Sequence, residues 1–259
     1  MDSVNKTLYI PLYGKAYVSK RGIILHDPVA ESIWEAEGFP LKRKARSKWL
    51  AYYMAMRASV FDSWVKKQMD ADPDAVVLHI GCGMDSRCFR VDAELHEWFD
   101  IDFPDVIRER KRYFQDTDRY HMLGADVSTA EWLNQLPAGN AIVVMEGVSM
   151  YLRPDQLKGT LDALCEHFDR VRLLMDCYTK FAAKASRLKN PINSVGVTNV
   201  YGIDDPKILE GKGLSFIREG EMTPDALVNE LSGREQKVFR MVYAGSVAKK
   251  LYRLYEYEG

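Results

Sequence analysis

Short apolar runs separated by segments with helical signals constrain the fold of this 259-residue chain more than any other feature. The first run, residues 75–80, stops at Gly81-Cys82-Gly83 and is typical of a strand buried on both faces of a parallel sheet. Further runs follow at 97–101, 120–123, 141–145 and 171–175, with helical segments between them at 104–114, 129–135 and 154–168. This alternation predicts βαβ units and a doubly wound α/β fold.

The residues before the first run predict an N-terminal helical part. Asp27 is placed to cap a helix that begins at Pro28 and that Gly38 closes. From 42 to 69, apolar residues recur at three- and four-residue steps, which predicts one long helix that ends at Asp72. Its apolar stripe either packs as ordinary core or forms an aromatic lid over a site, and core is the more frequent use.

The last part of the chain, from 213 onward, predicts two strands alternating with two helices. The strands are expected at 214–217 and 238–243, and the helices at 224–231 and 247–255. The length suits a single domain over 1–259, with 1–72 as a helical extension and 73–259 as a Rossmann-like core.

Composition excludes several classes of protein. The 36 Lys+Arg against 37 Asp+Glu leave a net charge of -1, so we expect no nucleic-acid partner. No stretch approaches the ~18 apolar residues of a membrane helix, and residues 1–6 show no signal segment, which predicts a cytoplasmic protein with no membrane partner. The four cysteines form no CxxC pair, so we expect reduced thiols, no disulfide framework and no metal site.

The turn after the first strand carries the first candidate ligand-binding residues. Gly81 and Gly83 allow a sharp turn and a close approach of a ligand to the main chain, although a purely structural turn gives the same pattern. Asp102 follows Gly81 by 21 residues, where an acidic side chain can accept hydrogen bonds from both hydroxyls of a ribose. Asp100 shares its side-chain direction and is an alternative, and a helix N-cap before Pro104 is another use of Asp102.

Two further carboxylates follow strands. Asp126, beside Val127, comes after the third strand and either accepts from an adenine amino group or caps the helix that begins near Thr129. Glu146 comes directly after the apolar residues of the fourth strand. Because the carboxyl ends of parallel strands meet at one edge of a sheet, we expect these groups and the glycine turn to converge on one crevice for an adenosine ligand.

Several of these segments resemble the leucine carboxyl methyltransferase family, which includes bacterial O-methyltransferases of polyketide pathways. The resemblance covers most of the chain and rests on residues 78–87, the Asp-x-Asp-x-Pro at 100–104, Glu146-Gly147-Val148-Ser149-Met150-Tyr151-Leu152, His26-Asp27-Pro28, Met56-Arg57 and 201–206. The chain departs from the family's pattern at Ser149, where the family has leucine, and at the polar His79 before Ile80-Gly81.

The resemblance implies a class I methyltransferase fold that uses S-adenosylmethionine, with a seven-stranded sheet whose last strand is antiparallel. By matching position it implies that Arg57 binds the cofactor's carboxylate and that Glu146 faces its methionine and sulfonium end. An arginine fork suits a carboxylate, and a glutamate favours nearby positive charge. The residues implied to contact the cofactor are Lys15, Arg57, Gly81, Gly83, Asp102, Asp126, Val127 and Glu146.

The sequence gives fewer signals for the residues that would bind the methyl acceptor. Tyr151 and Arg87 lie near the crevice and are candidates for acceptor binding, with packing and a helix-start salt bridge as the structural alternatives. No histidine or carboxylate is singled out as a general base. The predicted function is O-methylation of a carboxylate or hydroxyl of a polyketide-like small molecule. A protein C-terminal carboxylate as acceptor, an NAD-dependent oxidoreductase and an inactive cofactor-binding subunit are the alternatives.

Overall fold

The computed structural model describes residues 8–37, 46–189 and 199–259, and it has a parallel sheet at its centre. Each of the five apolar runs forms a strand, because such runs bury side chains on both faces of a sheet. These strands are β1 (Val76–Ile80), β2 (Trp98–Asp102), β3 (Tyr120–Gly124), β4 (Asn140–Met145) and β5 (Arg170–Tyr178). They pair in parallel, which confirms the α/β prediction.

Two more strands complete the sheet, in the order β3-β2-β1-β4-β5-β7-β6. Strand β7 (Tyr252–Glu258) runs antiparallel between β5 and β6 (Ser215–Gly220). The expected seven strands with an antiparallel last strand are therefore confirmed. An apolar core lies on each face of the sheet.

In the described residues, three helices precede the sheet: α1 (Tyr9–Ser19), α2 (Pro28–Glu37) and α3 (Lys48–Ala71). The expected cap of α2 is present, because the N–H of Ala30 donates to Oδ1 of Asp27 at 2.8 Å. Helix α3 ends before Asp72 as predicted. Its apolar stripe lies in the core, with Met56 and Phe61 fully buried. Gly38 and the predicted start of this helix at 42–45 lie outside the described residues.

The helices that follow the strands are α4 (Arg87–Arg90), α5 (Pro104–Arg110), α6 (Pro154–His167) and α7 (Lys180–Lys189). Of these, α6 matches its prediction to within one residue, α5 is shorter than predicted, and α4 and α7 were not predicted. The predicted helix at 129–135 is only a 3₁₀ turn, Glu131–Gln135, and a second 3₁₀ turn covers Ser149–Tyr151. No helix in the described ranges is long and apolar enough to span a membrane.

Two predictions for the C-terminal part are wrong. Residues 238–243 belong to a helix, and residues 252–255, predicted helical, belong to β7. The helices there are α8 (Asp225–Val228), α9 (Gly233–Tyr243) and α10 (Gly245–Lys249). Phe239 is buried while Met241 is 72% exposed, which is the one-sided burial of a surface helix. The tyrosine-rich segment 252–258 pairs with β5 over seven positions, and aromatic residues suit such a half-buried pleated surface.

Candidate functional site

A cavity of about 510 Å³ opens at the carboxyl ends of β1, β2 and β4. This edge of a doubly wound sheet is where such folds bind ligands, and the volume suits a small molecule. Helices α1 and α3, from the N-terminal part of the chain, cover the cavity. The cavity is lined by all eight residues that the sequence suggested for cofactor contact, namely Lys15, Arg57, Gly81, Gly83, Asp102, Asp126, Val127 and Glu146.

The glycine turn needs its glycines for conformation and for space. Gly81 has φ +69°, and a Cβ there would lie 2.0 Å from Cγ2 of Val148. Gly83 has φ +52°, and its Cβ would lie 3.0 Å from a side-chain carbon of Leu8. Both backbones take the left-handed conformation that side chains disfavour, so main chain instead of side chain forms this wall of the cavity.

Asp102, and not Asp100, faces the cavity. The carboxylate of Asp102 accepts from the N–H of Gly83 at 2.9 Å and from that of Phe103 at 2.8 Å. Burial raises its pKa, and these two N–H groups oppose the shift. The N-cap position of α5 belongs to Phe103, so Asp102 is not a helix cap.

Asp100 is fully buried beneath the cavity. It accepts from the hydroxyl of Tyr120 at 2.6 Å and from the ring of Trp98 at 2.9 Å, and it pairs with Arg110. Burial alone would raise the pKa of Asp100, but Arg110 and His79 outweigh it and hold that pKa at about 2. Asp100 is thus an ionised structural group. The sequence offered it as an alternative to Asp102 for binding the ribose, and the structure does not place it at the cavity.

Arg57 and Glu146 form the centre of a buried charge network. Nε of Arg57 donates to Oε1 of Glu146 at 2.9 Å, and its Nη1 donates to Oδ2 of Asp176 at 2.8 Å. Arg87 donates to the other oxygen of Glu146. Burial alone would raise the pKa of Glu146, but the two guanidinium groups lower it to about 2. Glu146 is therefore ionised at neutral pH, as an anion at the cavity wall.

Lys15 joins the same network from α1. Its Nζ lies 3.0 Å from Oδ1 of Asp85, and both side chains are at most 8% exposed. Asp85 in turn accepts from Arg90 at 2.6 Å. Burial would raise the pKa of Asp85, but Arg90, Lys15 and Arg87 hold it well below its usual range.

The ion pairs that connect to Arg57 and Arg87 in the described residues contain more carboxylates than cations. The linked members are the cations Lys15, Arg57, Arg87 and Arg90 and the carboxylates Asp27, Asp62, Asp85, Glu146 and Asp176. Four positive and five negative charges leave a formal surplus of one negative charge beside the cavity. Such a site favours a ligand with net positive charge.

Four members of this network were not predicted from the sequence, namely Asp62, Asp85, Arg90 and Asp176. Asp176 closes the apolar run at 171–175 just as Glu146 closes the fourth run, so the same strand-end signal was available for it. Asp85 stands two residues after Gly83, inside the segment that carried the family resemblance. Its pairing with Lys15, 70 residues earlier in the chain, had no local signal.

The two suggested acceptor-side residues have different positions. Tyr151 lines the cavity. Arg87 is fully buried and holds Glu146 and Asp62, so it acts inside the charge network and does not face the cavity. Asp126 lines the cavity and is exposed, and its carboxylate also accepts from the N–H of Ser128 at 2.9 Å in a local turn.

A pair of tyrosines that the sequence did not indicate lines the cavity beside apolar residues. The hydroxyl of Tyr252 donates to that of Tyr178 at 3.0 Å, and the two rings meet edge to face with centroids 4.7 Å apart. Burial raises the pKa of Tyr252 well above its ordinary value, so it is a neutral hydrogen-bond donor. The apolar lining residues include Leu12, Leu50, Met54, Met150 and Leu152.

Comparison with known proteins gives this cavity a context. Residues 11–165 match the leucine carboxyl methyltransferase family. The tetracenomycin polyketide synthesis O-methyltransferase TcmP of Streptomyces glaucescens is 31% identical over 227 residues, which are 86% of this chain and 84% of that protein. An S-adenosyl-L-methionine-dependent methyltransferase of Gibberella zeae is 24% identical over 81% of this chain and 78% of its own length.

A solved structure supports the fold. Magnesium protoporphyrin IX methyltransferase from Synechocystis PCC 6803, with SAH bound, superposes with a TM-score of 0.51 at 15% identity, covering 89% of this chain and 93% of that chain. This likeness concerns the fold, which is the Rossmann-like fold of class I methyltransferases. With the match over 11–165 and the 31% identity to TcmP, the chain belongs to the leucine carboxyl methyltransferase family.

Proposed function

We propose that this protein is an S-adenosylmethionine-dependent O-methyltransferase whose acceptor is the carboxylate of an apolar small molecule. The observation that carries the proposal is that one cavity brings two kinds of surface together. Its polar end holds the glycine turn, Asp102, which can accept from ribose hydroxyls, and the charge network, and its other wall is apolar and carries tyrosines. The family membership and the O-methyltransferase named in Streptomyces glaucescens support it.

The residues at the polar end of the cavity fit this cofactor. S-adenosylmethionine carries a sulfonium, an ammonium and a carboxylate, so its one net positive charge complements the one net negative charge of the network. The missing Cβ atoms at Gly81 and Gly83 leave room for the main chain to contact a ligand closely. When bound, the cofactor supplies an electrophilic methyl group on a positively charged sulfur.

Each group then has a distinct task. Asp102, already oriented by the N–H groups of Gly83 and Phe103, would accept from the ribose hydroxyls. Arg57 would pair with the cofactor's carboxylate, and Glu146 would stabilise its positive charges. Asp126 and Val127 would border the adenine. We infer that the N-terminal helices and the sheet act as one domain in this task, because Lys15 and Arg57 come from α1 and α3.

The choice of a carboxylate follows from the protonation states of the side chains around the cavity. Among the lining carboxylates in the described part, Asp85 and Glu146 are paired with cations, and Asp102 and Asp126 accept from backbone N–H groups. The lining imidazole of His79 has both ring nitrogens engaged, by Arg87 and by Asp100. The hydroxyl of Tyr252 keeps its proton, since burial raises its pKa well above the ordinary value. A carboxylic acid, with an ordinary pKa of about 4, is ionised without a base, whereas a phenol with a pKa of about 10 benefits from one.

In this reaction a carboxylate oxygen forms a bond to the methyl carbon while the sulfur–carbon bond breaks. The products are a methyl ester and S-adenosylhomocysteine, and no proton is released. The protein contributes alignment and exclusion of water, and alignment alone is worth effective molarities of about 10⁵ to 10⁸ M. The tyrosine hydroxyls of Tyr151, Tyr178 and Tyr252 would orient the acceptor.

The decisive experiment combines binding with turnover. Calorimetric titration with S-adenosylmethionine, S-adenosylhomocysteine and NAD should show binding of the two adenosyl compounds only. Methyl transfer should then be followed by mass spectrometry for an aromatic carboxylic acid and for the phenol and the primary carboxamide of the same ring. Ester formation from the acid alone supports the proposal. Binding of NAD alone, or methylation of the phenol in preference to the acid, contradicts it.

A further inference from the structure

His79 is a buried imidazole at the cavity that the proposed function leaves without a task. It lies on β1, two residues before Gly81, and only 1% of it is exposed. Its register neighbours are Asp100 on β2 and Val144 on β4.

The hydrogen-bond partners of His79 fix both its charge and its tautomer. Nη1 of Arg87 lies 3.1 Å from Nε2 of His79, and a guanidinium can only donate, so Nε2 must be an unprotonated acceptor. Nδ1 lies 3.0 Å from Oδ1 of Asp100, and an ionised carboxylate can only accept. The proton therefore sits on Nδ1, and the ring is neutral with one defined tautomer.

Through Arg87, this ring reaches the carboxylate at the cavity wall. Nε of Arg87 donates to Asp62 at 2.7 Å, and Nη2 donates to Oε2 of Glu146. Contacts to His79, Asp62 and Glu146 thus use all three nitrogens of the guanidinium and fix the orientation of its plane. The plane in turn sets one oxygen of Glu146, while Arg57 sets the other.

We propose that His79 is a positioning residue whose neutral ring holds Arg87 and thereby Glu146, so that protonation of this one ring weakens cofactor binding. The inference rests on the proposed function in one respect, namely that Glu146 faces the positive end of S-adenosylmethionine. A proton on Nε2 would set an N–H against the N–H of Arg87. Arg87 would then have to turn away from the ring, and Glu146 would be held by Arg57 alone.

The charged groups around His79 and its burial determine the pH at which the ring takes up a second proton. Asp100 faces it from β2, Arg87 from α4, and Asp85 from the turn after β1, while β4 presents the uncharged Val144. Burial lowers the pKa of His79 below its ordinary 6.5, with Asp100 opposing the shift. Because the pKa in the folded protein lies below 6.5, the ring is still neutral at pH 6.5, and the support for Glu146 is lost only as pH falls further, through that lowered pKa.

One test reads the tautomer directly and needs no cofactor. Nitrogen-15 NMR of the histidine-labelled protein at pH 7.5 should show His79 with a protonated Nδ1 and an unprotonated Nε2. The spectrum is assigned by its loss in a His79→Gln variant. An imidazolium at this pH, or a proton on Nε2, overturns the inference even if the protein binds no adenosyl compound.

A second test follows affinity for S-adenosylhomocysteine between pH 7.5 and 5 by calorimetry. In His79→Gln the amide oxygen can replace Nε2 as an acceptor without titrating, whereas His79→Leu offers no acceptor. We expect the dissociation constant of the wild type to rise as pH falls, and we expect His79→Gln to lose this pH dependence, which we call the slope. His79→Leu should bind about tenfold more weakly already at pH 7.5. Wild-type affinity in His79→Leu, or an unchanged slope in His79→Gln, contradicts the inference.

His121→Gln is the matched control for this series. His121 also pairs with a carboxylate, Glu97 at 2.6 Å, but it is about one-third exposed on β3 and does not line the cavity. This variant should keep both the affinity and the slope of the wild type. If it loses the slope as well, the pH dependence does not belong to His79. Failure of the wild type to bind any adenosyl compound would instead refute the proposed function, with the NMR test still deciding the tautomer.

Discussion

Arg57 on α3 and Glu146 at the end of β4 are joined through Nε and Oε1 at 2.9 Å, across 89 residues of sequence. The same arginine donates to Asp176 on β5. One guanidinium therefore ties the helix that covers the cavity to two adjacent strands beneath it. Ligand binding and the stability of this part of the fold should respond together when it is changed.

Arg57→Ala should lower the free energy of unfolding by about 3–5 kcal/mol, because it leaves the buried carboxylate of Asp176 without its cation and Glu146 with Arg87 alone. Urea unfolding measures the change. Arg108→Ala is the control, since the Arg108 side chain is 74% exposed and pairs with its helix neighbour Asp105 at the surface. That variant should change stability by less than about 0.5 kcal/mol. Equal stabilities of the two variants would show that Arg57 does not hold the network.

Asp102→Ala should weaken binding of S-adenosylhomocysteine by about 1–3 kcal/mol, since it removes a charged acceptor for the ribose hydroxyls. Asp105→Ala, three residues further on the exposed side of α5, should bind as the wild type does. Calorimetry with folded protein, checked by circular dichroism, measures both. An unchanged affinity in Asp102→Ala would remove this residue from the proposed site.

Gly81→Ala should be more destabilising than Gly22→Ala, although both glycines have nearly the same φ, +69° and +64°. The conformational cost, about 1–2 kcal/mol, is common to both. Only at Gly81 does the new Cβ meet a neighbour, Val148, and this overpacking should add about 1–3 kcal/mol. The second change Val148→Ala should recover part of the added loss. Without any recovery, the contact with Val148 would not be its cause.

Glu146 should contribute to acid unfolding. In the folded protein Arg57 and Arg87 overcome burial and hold the pKa of Glu146 at about 2, against an ordinary 4.5. A lowered pKa stabilises the fold above pH 4.5, and this stabilisation is lost as pH falls towards 2. The free energy of unfolding should therefore fall less steeply over this range in Glu146→Gln than in the wild type. Parallel curves would mean that Glu146 is not held as an anion.

Tyr252→Phe should affect the acceptor and not the cofactor. Loss of the hydroxyl that donates to Tyr178 should raise the KM for a carboxylic acid acceptor by about two- to tenfold and leave the affinity for S-adenosylhomocysteine unchanged. Tyr53→Phe is the matched control, because its hydroxyl contacts the sulfur of Met222 and it does not line the cavity. A change in the affinity for S-adenosylhomocysteine, with the KM for the acceptor unchanged, would show that Tyr252 contacts the cofactor and not the acceptor.

Local signals in the sequence predicted much of the fold and the positions of the site residues. The strands β1 to β5 follow from uninterrupted apolar runs, and Asp27 caps α2 because a short acceptor stands directly before Pro28. The convergence of Asp102, Asp126 and Glu146 follows from geometry, since parallel strands bring their carboxyl ends to one edge. The resemblance to a family added Lys15 and Arg57, which no local pattern marked.

What the sequence could not predict depends on contacts between distant segments. The segment 238–243 has the composition of a strand, but Ser232 and Glu235 precede it at the spacing of a capping box, and Phe239 packs against Tyr52 of α3. The pairing of Arg87 with Glu146 and His79 depends on how α4 packs against the sheet. Composition at either end of such a pair gives no indication of its partner.

The strand order also has a consequence for the synthesis of the protein. A growing chain leaves the ribosome in sequence order, so β6 emerges before β7, although β7 is the strand that connects β6 to the rest of the sheet. Until then β5 is an open edge and β6 is a detached segment with Ile217 half exposed in the finished fold. A product terminated between 221 and 251 would keep that edge and would be prone to pair with other chains.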